Sequence, residues 1–402
     1  MAEYLTRDLK LGISASPEST YNTMLVAPSD LYLGMLTTTR SLYIPDKEKL
    51  DDTGKVGTGR EYPTEQRSGY ITVPSLEISE ELNIDIAALL LRRAMGGVDA
   101  GGTLVVSDPY YNSGIEDALG FYTHTWGLLS NNTAAGRQLP SSTLLWSLGG
   151  ADYMWGGVCV ESFRVDQTGS GVPTFTATMV GSGLNKRLRY LTANGALAVN
   201  GSNAYNGPYA GSVGSEYPPA FPAPVAQRYM LGAETKMQFN DGSNYVITNA
   251  QRLKSFSFTL TNNLRTDDRR PGDPRLTSTQ PRDGHYINRL LHGDRTVAAE
   301  MTVMLDDVLR EFTDAYNDTV ITGFRYSAMG NLLKKATTPF TESAQDNQGV
   351  FELNFPKCYF RGIRGSDDNG DAILTISIFP VDDFTNGPVT AKIVNNTAAA
   401  IV

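Results

Sequence analysis

The chain has 402 residues and a formal net charge of −9, with 39 glycines, 20 tyrosines and only 19% charged side chains. Its length exceeds one ordinary core, which sets an expectation of two domains, and its composition favours strands and turns over helices. The acid excess weighs against a tight nucleic-acid binder, because such binding draws on clustered Lys and Arg that release counterions.

Met1 to Thr20 lacks the basic, apolar, small-residue order of a leader. The longest largely apolar run, IDIAALLL, falls far short of the roughly 20 residues of a bilayer span. The expectation is a soluble chain without membrane insertion. Cys159 and Cys358 have no CxxC neighbours, so each is expected as a buried, reduced small hydrophobe.

In chain order, the strand-like LYLGMLTTTRSLYI (31–44) leads into the charged loop PDKEKLDDTGKVGTGREYPTEQRSG (45–69) and then the strand YITVPSLEI. A helix is expected next, with Ser79 as N-cap, Glu80 and Glu81 at its positive start, Arg92 and Arg93 at its negative end, and Gly96 and Gly97 as the stop. An insertion of no evident pattern covers about 97–140. VCVESFRVDQTGSGVPTFTATMVG (158–181) then reads as a closing strand pair.

The stretch TANGALAVNGSNAYNGPYAGSVGSEYPPAFPAPVA cannot bury a core of its own and reads as a linker or surface arm. Beyond it, RLKSFSFTLTNNL (252–264) puts Phe256, Phe258 and Leu260 on one face of an extended chain and Ser255, Ser257 and Thr259 on the other. The loop NLRTDDRRPGDPRLTSTQPRDGH (263–285), the strand TVAAEMTVML and an expected helix DDVLREFTDAYND follow. KCYFRGIRGSDDNGDAILTISIFP (357–380) closes the second half, and NNTAAAIV reads as a loose tail.

These elements repeat. Laying 158–181 over 357–380 aligns the cysteines without a gap and brings Thr176 and Thr178 onto Thr375 and Ser377. Both halves read strand, long polar loop, strand, short helix and closing strand pair. The divisions that follow are an arm at 1–19, a first domain at 20–183, a linker at 184–228, a second domain at 229–386 and a tail at 387–402.

No catalytic, cofactor-binding or metal site is nominated. His124, His285 and His292 have no ligand spacing. DDNGD (367–371) lacks the later glutamate of a calcium loop and reads as an Asn-Gly hairpin turn. GKVGTGR (54–60) lacks the order of a phosphate loop, and no GxSxG occurs. Asp51–Asp52 and Asp267–Asp268 sit in charged loops where a solvated face is the ordinary explanation. The unusual objects are the two long loops, which exceed the roughly 12–15 residues that compact domains tolerate without a function. Their mixed charges suit arms that dock on a neighbouring subunit.

The chain resembles the tail tube proteins of long-tailed phages, especially members with two tube domains in one polypeptide. The resemblance rests on GVCVESFRV and TFTATMVGSG in the first half, on RLKSFSFTLTNNL, AEMTVML and ILTISIFPVDD in the second, and on the order of elements. It implies a mainly β fold of two tandem β-sandwich or barrel domains, each with one short flanking helix. It also implies a structural, non-enzymatic virion protein, made in the host cytoplasm, that stacks as rings into the conduit for DNA.

Three chains per ring follow from two like domains per chain and closed symmetry. The implied partners are other copies of the chain, the tape measure inside the tube, the terminator and baseplate at its ends, and duplex DNA in transit without tight binding. The implied inter-ring contacts fall on Lys47, Glu48, Asp51, Asp52, Lys55 and Arg60 in the first loop. In the second they fall on Asp267, Asp268, Arg269, Arg270, Asp273 and Arg275. The polar faces, with Ser255, Ser257, Thr259, Thr176, Thr178, Thr375 and Ser377, are expected to line the lumen or a seam. Alternative readings are a baseplate hub or tail terminator, or a cell-surface glycan-binding β module.

Overall fold

The structure is a computed structural model. It describes residues 10–25, 31–35, 47–51, 66–71, 75–96, 103–104, 122–128, 137–148, 151–187, 229–240, 245–248, 253–267, 287, 289–304, 323–332, 348–368, 370–382 and 387–395. The first strands are β1 (Lys10–Ser14), β2 (Tyr32–Met35), β3 (Lys47–Asp51), β4 (Gln66–Ile71) and β5 (Ser75–Glu81), followed by helix α1 (Ile84–Met95). Next come β6 (Thr103–Leu104), β7 (Tyr122–Gly127), β8 (Ser142–Leu148), β9 (Ala151–Thr168), β10 (Thr174–Val180) and β11 (Asn185–Arg187). The second half begins with β12 (Met230–Asn240), β13 (Tyr245–Thr248), β14 (Leu253–Thr261), β15 (Leu264–Arg265), β16 (Leu291–His292) and β17 (Thr296–Met304). It ends with β18 (Phe324–Leu332), β19 (Gln348–Phe355), β20 (Cys358–Asp368), β21 (Asp371–Pro380) and β22 (Thr390–Asn395). The protein is mainly β.

Two sheets make a sandwich. The second sheet runs β13-β12-β18-β19-β22-β7-β6. The first is organised around β9, which is long enough to belong to two pairings. Its leading half pairs β8 and β11, and its trailing half pairs β10 and β14. Gly156 and Gly157 stand at the change. Gly157 has φ +63 and a Cβ there would lie 2.9 Å from Ser182 Cβ, so only glycine fits this bend.

Alternation builds the interface between the sheets. β14 buries Leu253, Phe256, Phe258 and Leu260 and leaves Ser255, Ser257 and Thr259 half-buried on its other face. Phe256 stacks on Tyr326 of the second sheet at 3.9 Å, and Phe258 meets Phe355 edge-on at 6.1 Å. Phe360 meets Phe324 in the same way at 6.2 Å. Met301, Val303, Ile376 and Ile378 complete this core.

Several sequence expectations are corrected. Ser79, Glu80 and Glu81 belong to β5, and the helix instead starts at Asn83, whose Oδ1 accepts a hydrogen bond from Asp85 N at 3.1 Å. Gly96, in the left-handed region with φ 70, ends it as expected. Asn83 also caps well, and pairing of β5 with β10 through Glu81 holds the earlier candidate in strand.

The segment read as an N-terminal arm holds β1, which pairs β2 and β8. The segment read as a tail holds β22, an interior strand between β19 and β7 with Ala391 and Ile393 fully buried. The 97–140 insertion supplies β6 and β7 to that same sheet. The loop 45–69 holds most of a hairpin, β3 against β4. The expected helix at 306–318 and most of the linker lie outside the described residues.

Among the described residues, strand pairing crosses between the halves through β9 with β14 and through β7 with β22. β20 and β21 form a hairpin whose turn holds Gly370 at φ 95, its N–H donating to Asp367 Oδ1 at 2.6 Å.

Candidate assembly face

Seven strands of the first sheet form one antiparallel run in the order β5-β10-β9-β14-β17-β21-β20. The triplet β5-β10-β9 of the first half has its counterpart in β17-β21-β20 of the second, with the same pairing and sense. The halves join head to tail where β14 pairs with β9. Among the described residues, the outer edges of β5 and β20 pair with no strand.

One face of this run fills the sandwich and the other is polar. All seven hydroxyl residues singled out in the sequence lie on the polar face, half-buried. Register sets them in rows. Thr176 and Thr259 flank Arg164, Thr178 and Thr261 flank Ser162, and Ser257 and Ser377 flank Glu300. Ser255 and Thr375 flank Thr302, whose hydroxyl is 3.2 Å from that of Thr375. The Thr176 hydroxyl donates to Ser79 Oγ at 3.2 Å.

Charges on this face are mixed. Arg164 clasps Asp166 through two contacts, at 2.6 and 2.7 Å, and the Asp166 hydrogen bond and charge raise the guanidinium's pKa further. Glu77, Glu81 and Glu300 are exposed, while Arg361 and Arg364 lie near the β20 edge opposite Ser377 and Thr375. That arginine pair was not anticipated, because a bulge between Arg361 and Arg364 turns both toward the same face.

Of the loop residues singled out in the sequence, Lys47, Glu48 and Asp51 lie on β3, and Asp267 is exposed just after β15. Asp52, Lys55, Arg60, Asp268, Arg269, Arg270, Asp273 and Arg275 lie outside the described residues.

Sequence reasoning also missed a buried polar anchor. The Glu18 carboxylate accepts hydrogen bonds from Asn22 N (2.9 Å), Ser141 Oγ (2.7 Å), Thr143 Oγ1 (2.9 Å) and Gly157 N (3.0 Å). Burial raises its pKa despite these donors. Arg93, fully buried, donates to Ser142 Oγ and to the Ser14 carbonyl at 2.6 Å, and burial lowers its pKa to about 9. The cluster ties the segment after β1 to β8 and the β9 bend. Nothing in SASPESTYN marks Glu18, whose partners other than Asn22 come from more than a hundred residues away.

Cys159 and Cys358 are free and buried, and burial raises both thiol pKa values. Among the described residues no cluster of His, Cys, Asp or Glu could hold a metal ion, and no helix is long and apolar enough to cross a membrane.

The fold and the polar face together define a β-sandwich protein whose seven-strand run, among the described residues, is unpaired at both ends. No family profile matches the chain, and no curated protein does. Among solved structures it is similar to the SPP1 tail tube determined by solid-state NMR and cryo-EM. That match has 14% identity, covers 37% of this chain and 74% of that one, and has a TM-score of 0.25.

Proposed function

We propose that this chain is a structural subunit of a phage tail tube, acting by self-assembly rather than catalysis. The observation that carries the reading is the seven-strand run, in which two like units already join head to tail while, among the described residues, neither outer edge is paired. Open edges are templates for pairing with another chain, and closure into a barrel removes them.

Direction constrains how copies join. The run is antiparallel throughout and has an odd number of strands, so β5 and β20 point the same way. One further strand between the edges of adjacent copies keeps the ring antiparallel, as β14 does between β9 and β17. Three copies then supply about 21–24 strands. At a 4.8 Å spacing and a tilt near 40°, these close a barrel roughly 42–48 Å across at the backbone. Side chains projecting inward leave a channel wide enough for a DNA duplex.

The hydroxyl rows face this channel, and the few charges there are of both signs. A continuous basic lining would hold the phosphates by counterion release, whereas this face lets them pass. Rings stack through the β3–β4 hairpin and the 263–285 loop. The tape measure occupies the lumen during assembly, and terminator and baseplate proteins close the ends.

Negative-stain microscopy of the purified chain across a concentration series tests this. Rings or hollow tubes are expected. A chain that remains a monomer at every concentration refutes the proposal.

A further inference from the structure

At the joint between the two halves, Ser257 of β14 lies in register between Asp166 of β9 and Glu300 of β17. Two carboxylates thus share one row of the polar face, two strand spacings or roughly 10 Å apart. Arg164 relieves their repulsion by clasping Asp166 at 2.6 and 2.7 Å.

The repeated pairings fix which residues take these places at the outer edges of the run. Thr176 pairs with Arg164 as Thr375 pairs with Arg364, so Arg364 stands in the place of Arg164. Thr174 pairs with Asp166 as Ile373 pairs with Ser366, so a serine stands where the first half has its aspartate. On the opposite edge, Glu77 faces Thr178 as Glu300 faces Ser377, so Glu77 stands in the place of Glu300.

A joint between copies built like the one within the chain therefore sets Ser366 of one copy and Glu77 of the next in a single row. One carboxylate remains there instead of two, and the arginine beside it has no aspartate two residues along. Arg364 and Glu77 are both exposed, and among the described residues neither has an ion-pair partner. Arg361, the other arginine of that edge, is engaged differently, with its guanidinium 5.4 Å from the centre of the Phe379 ring and 5.8 Å from that of Tyr359.

We propose that an ion pair between Arg364 of one copy and Glu77 of the next directs how copies join, selecting the β20 edge against the β5 edge. Like edges are rejected by the same charges. β20 against β20 gathers Arg361 and Arg364, and β5 against β5 gathers Glu77 and Glu81, which places like charges together at the contact. The pairing rests on the self-assembly reading above and names the residues that make the association head to tail.

The test uses full-length chains under conditions where the wild type forms rings, with assembly followed by sedimentation velocity across a concentration series. An exposed ion pair contributes little by itself, so charge reversal, which replaces attraction by repulsion, is the informative change. Arg364→Glu alone, or Glu77→Arg alone, is expected to raise the concentration for half-assembly about tenfold or more, with little change in thermal unfolding because both side chains are exposed. A chain carrying both reversals restores the pair in the opposite sense and is expected to assemble within about threefold of wild type. Single variants that assemble like the wild type, or a double variant no better than the singles, overturn the pairing while leaving self-assembly intact. Failure of the wild type to form rings at any concentration overturns the reading beneath it.

Discussion

Gln167 ties the seam strand to the second sheet, and replacing it with leucine isolates the strength of that tie. Its Oε1 accepts hydrogen bonds from Tyr326 OH at 2.7 Å and Thr235 Oγ1 at 3.0 Å, and its Nε2 donates to the carbonyls of Gly169 and Gly232, each at 3.1 Å. Gln167→Leu keeps the volume and removes all four bonds. Each buried group left without a partner costs about 1–3 kcal/mol. The Thr235 hydroxyl can turn toward backbone, which trims the total, so the substitution should cost about 3–5 kcal/mol.

Tyr326→Phe removes one donor while Thr235 still serves Gln167, at about 1 kcal/mol. If the groups act as one network, adding Tyr326→Phe to Gln167→Leu costs nothing further, because the orphaned hydroxyl is gone. Urea unfolding followed by fluorescence of the buried Trp126, Trp146 and Trp155 reads these differences. A loss below about 1 kcal/mol for Gln167→Leu, or strict additivity of the two changes, refutes the argument.

Four other outcomes are expected. Burial and the neighbouring Glu81 raise the Glu80 pKa to about 7 from the ordinary 4.5, so the folded state holds a proton that the unfolded state releases, and stability falls as pH rises from about 4.5 to 7. Glu80→Gln should flatten that slope in pH-dependent urea unfolding and be more stable than wild type at pH 8. Gly232→Ala places a Cβ 1.8 Å from the Gly171 carbonyl oxygen and should cost at least about 3 kcal/mol, whereas Gly370→Ala, strained only by φ +95, should cost about 1 kcal/mol in the same assay. Native protein should leave an aromatic disulfide reagent unreacted, and unfolded protein should titrate both thiols, since Cys159 and Cys358 are buried with raised pKa values. Assembled tubes should bind duplex DNA weakly, with a log–log salt slope shallower than about −3, when binding is measured between low and moderate salt.

What the sequence made legible was local and periodic. The alternation in SFSFTLT placed Phe256 and Phe258 in the core and Ser255, Ser257 and Thr259 on the far face, because a strand's side chains have only two directions to take. The turn at Gly370 and the Gly96 helix stop were readable for a similar reason, since both answer to backbone conformation.

The misses are non-local. β22 looked like a loose end because a strand buried between β19 and β7 shows itself only through partners far away in sequence. Ser79 and Asn83 are both good caps, and only the pairing of β5 with β10 decides between them. The joint of β9 with β14, on which the assembly proposal turns, leaves no mark in either strand's own sequence.

The most direct test of the central claim is a cryo-EM reconstruction of the concentrated protein without imposed symmetry. A hollow tube is expected, with three chains in each ring and Thr176, Thr259 and Ser377 facing the channel. A solid filament, six chains in a ring, or a tube with those hydroxyls turned outward contradicts it.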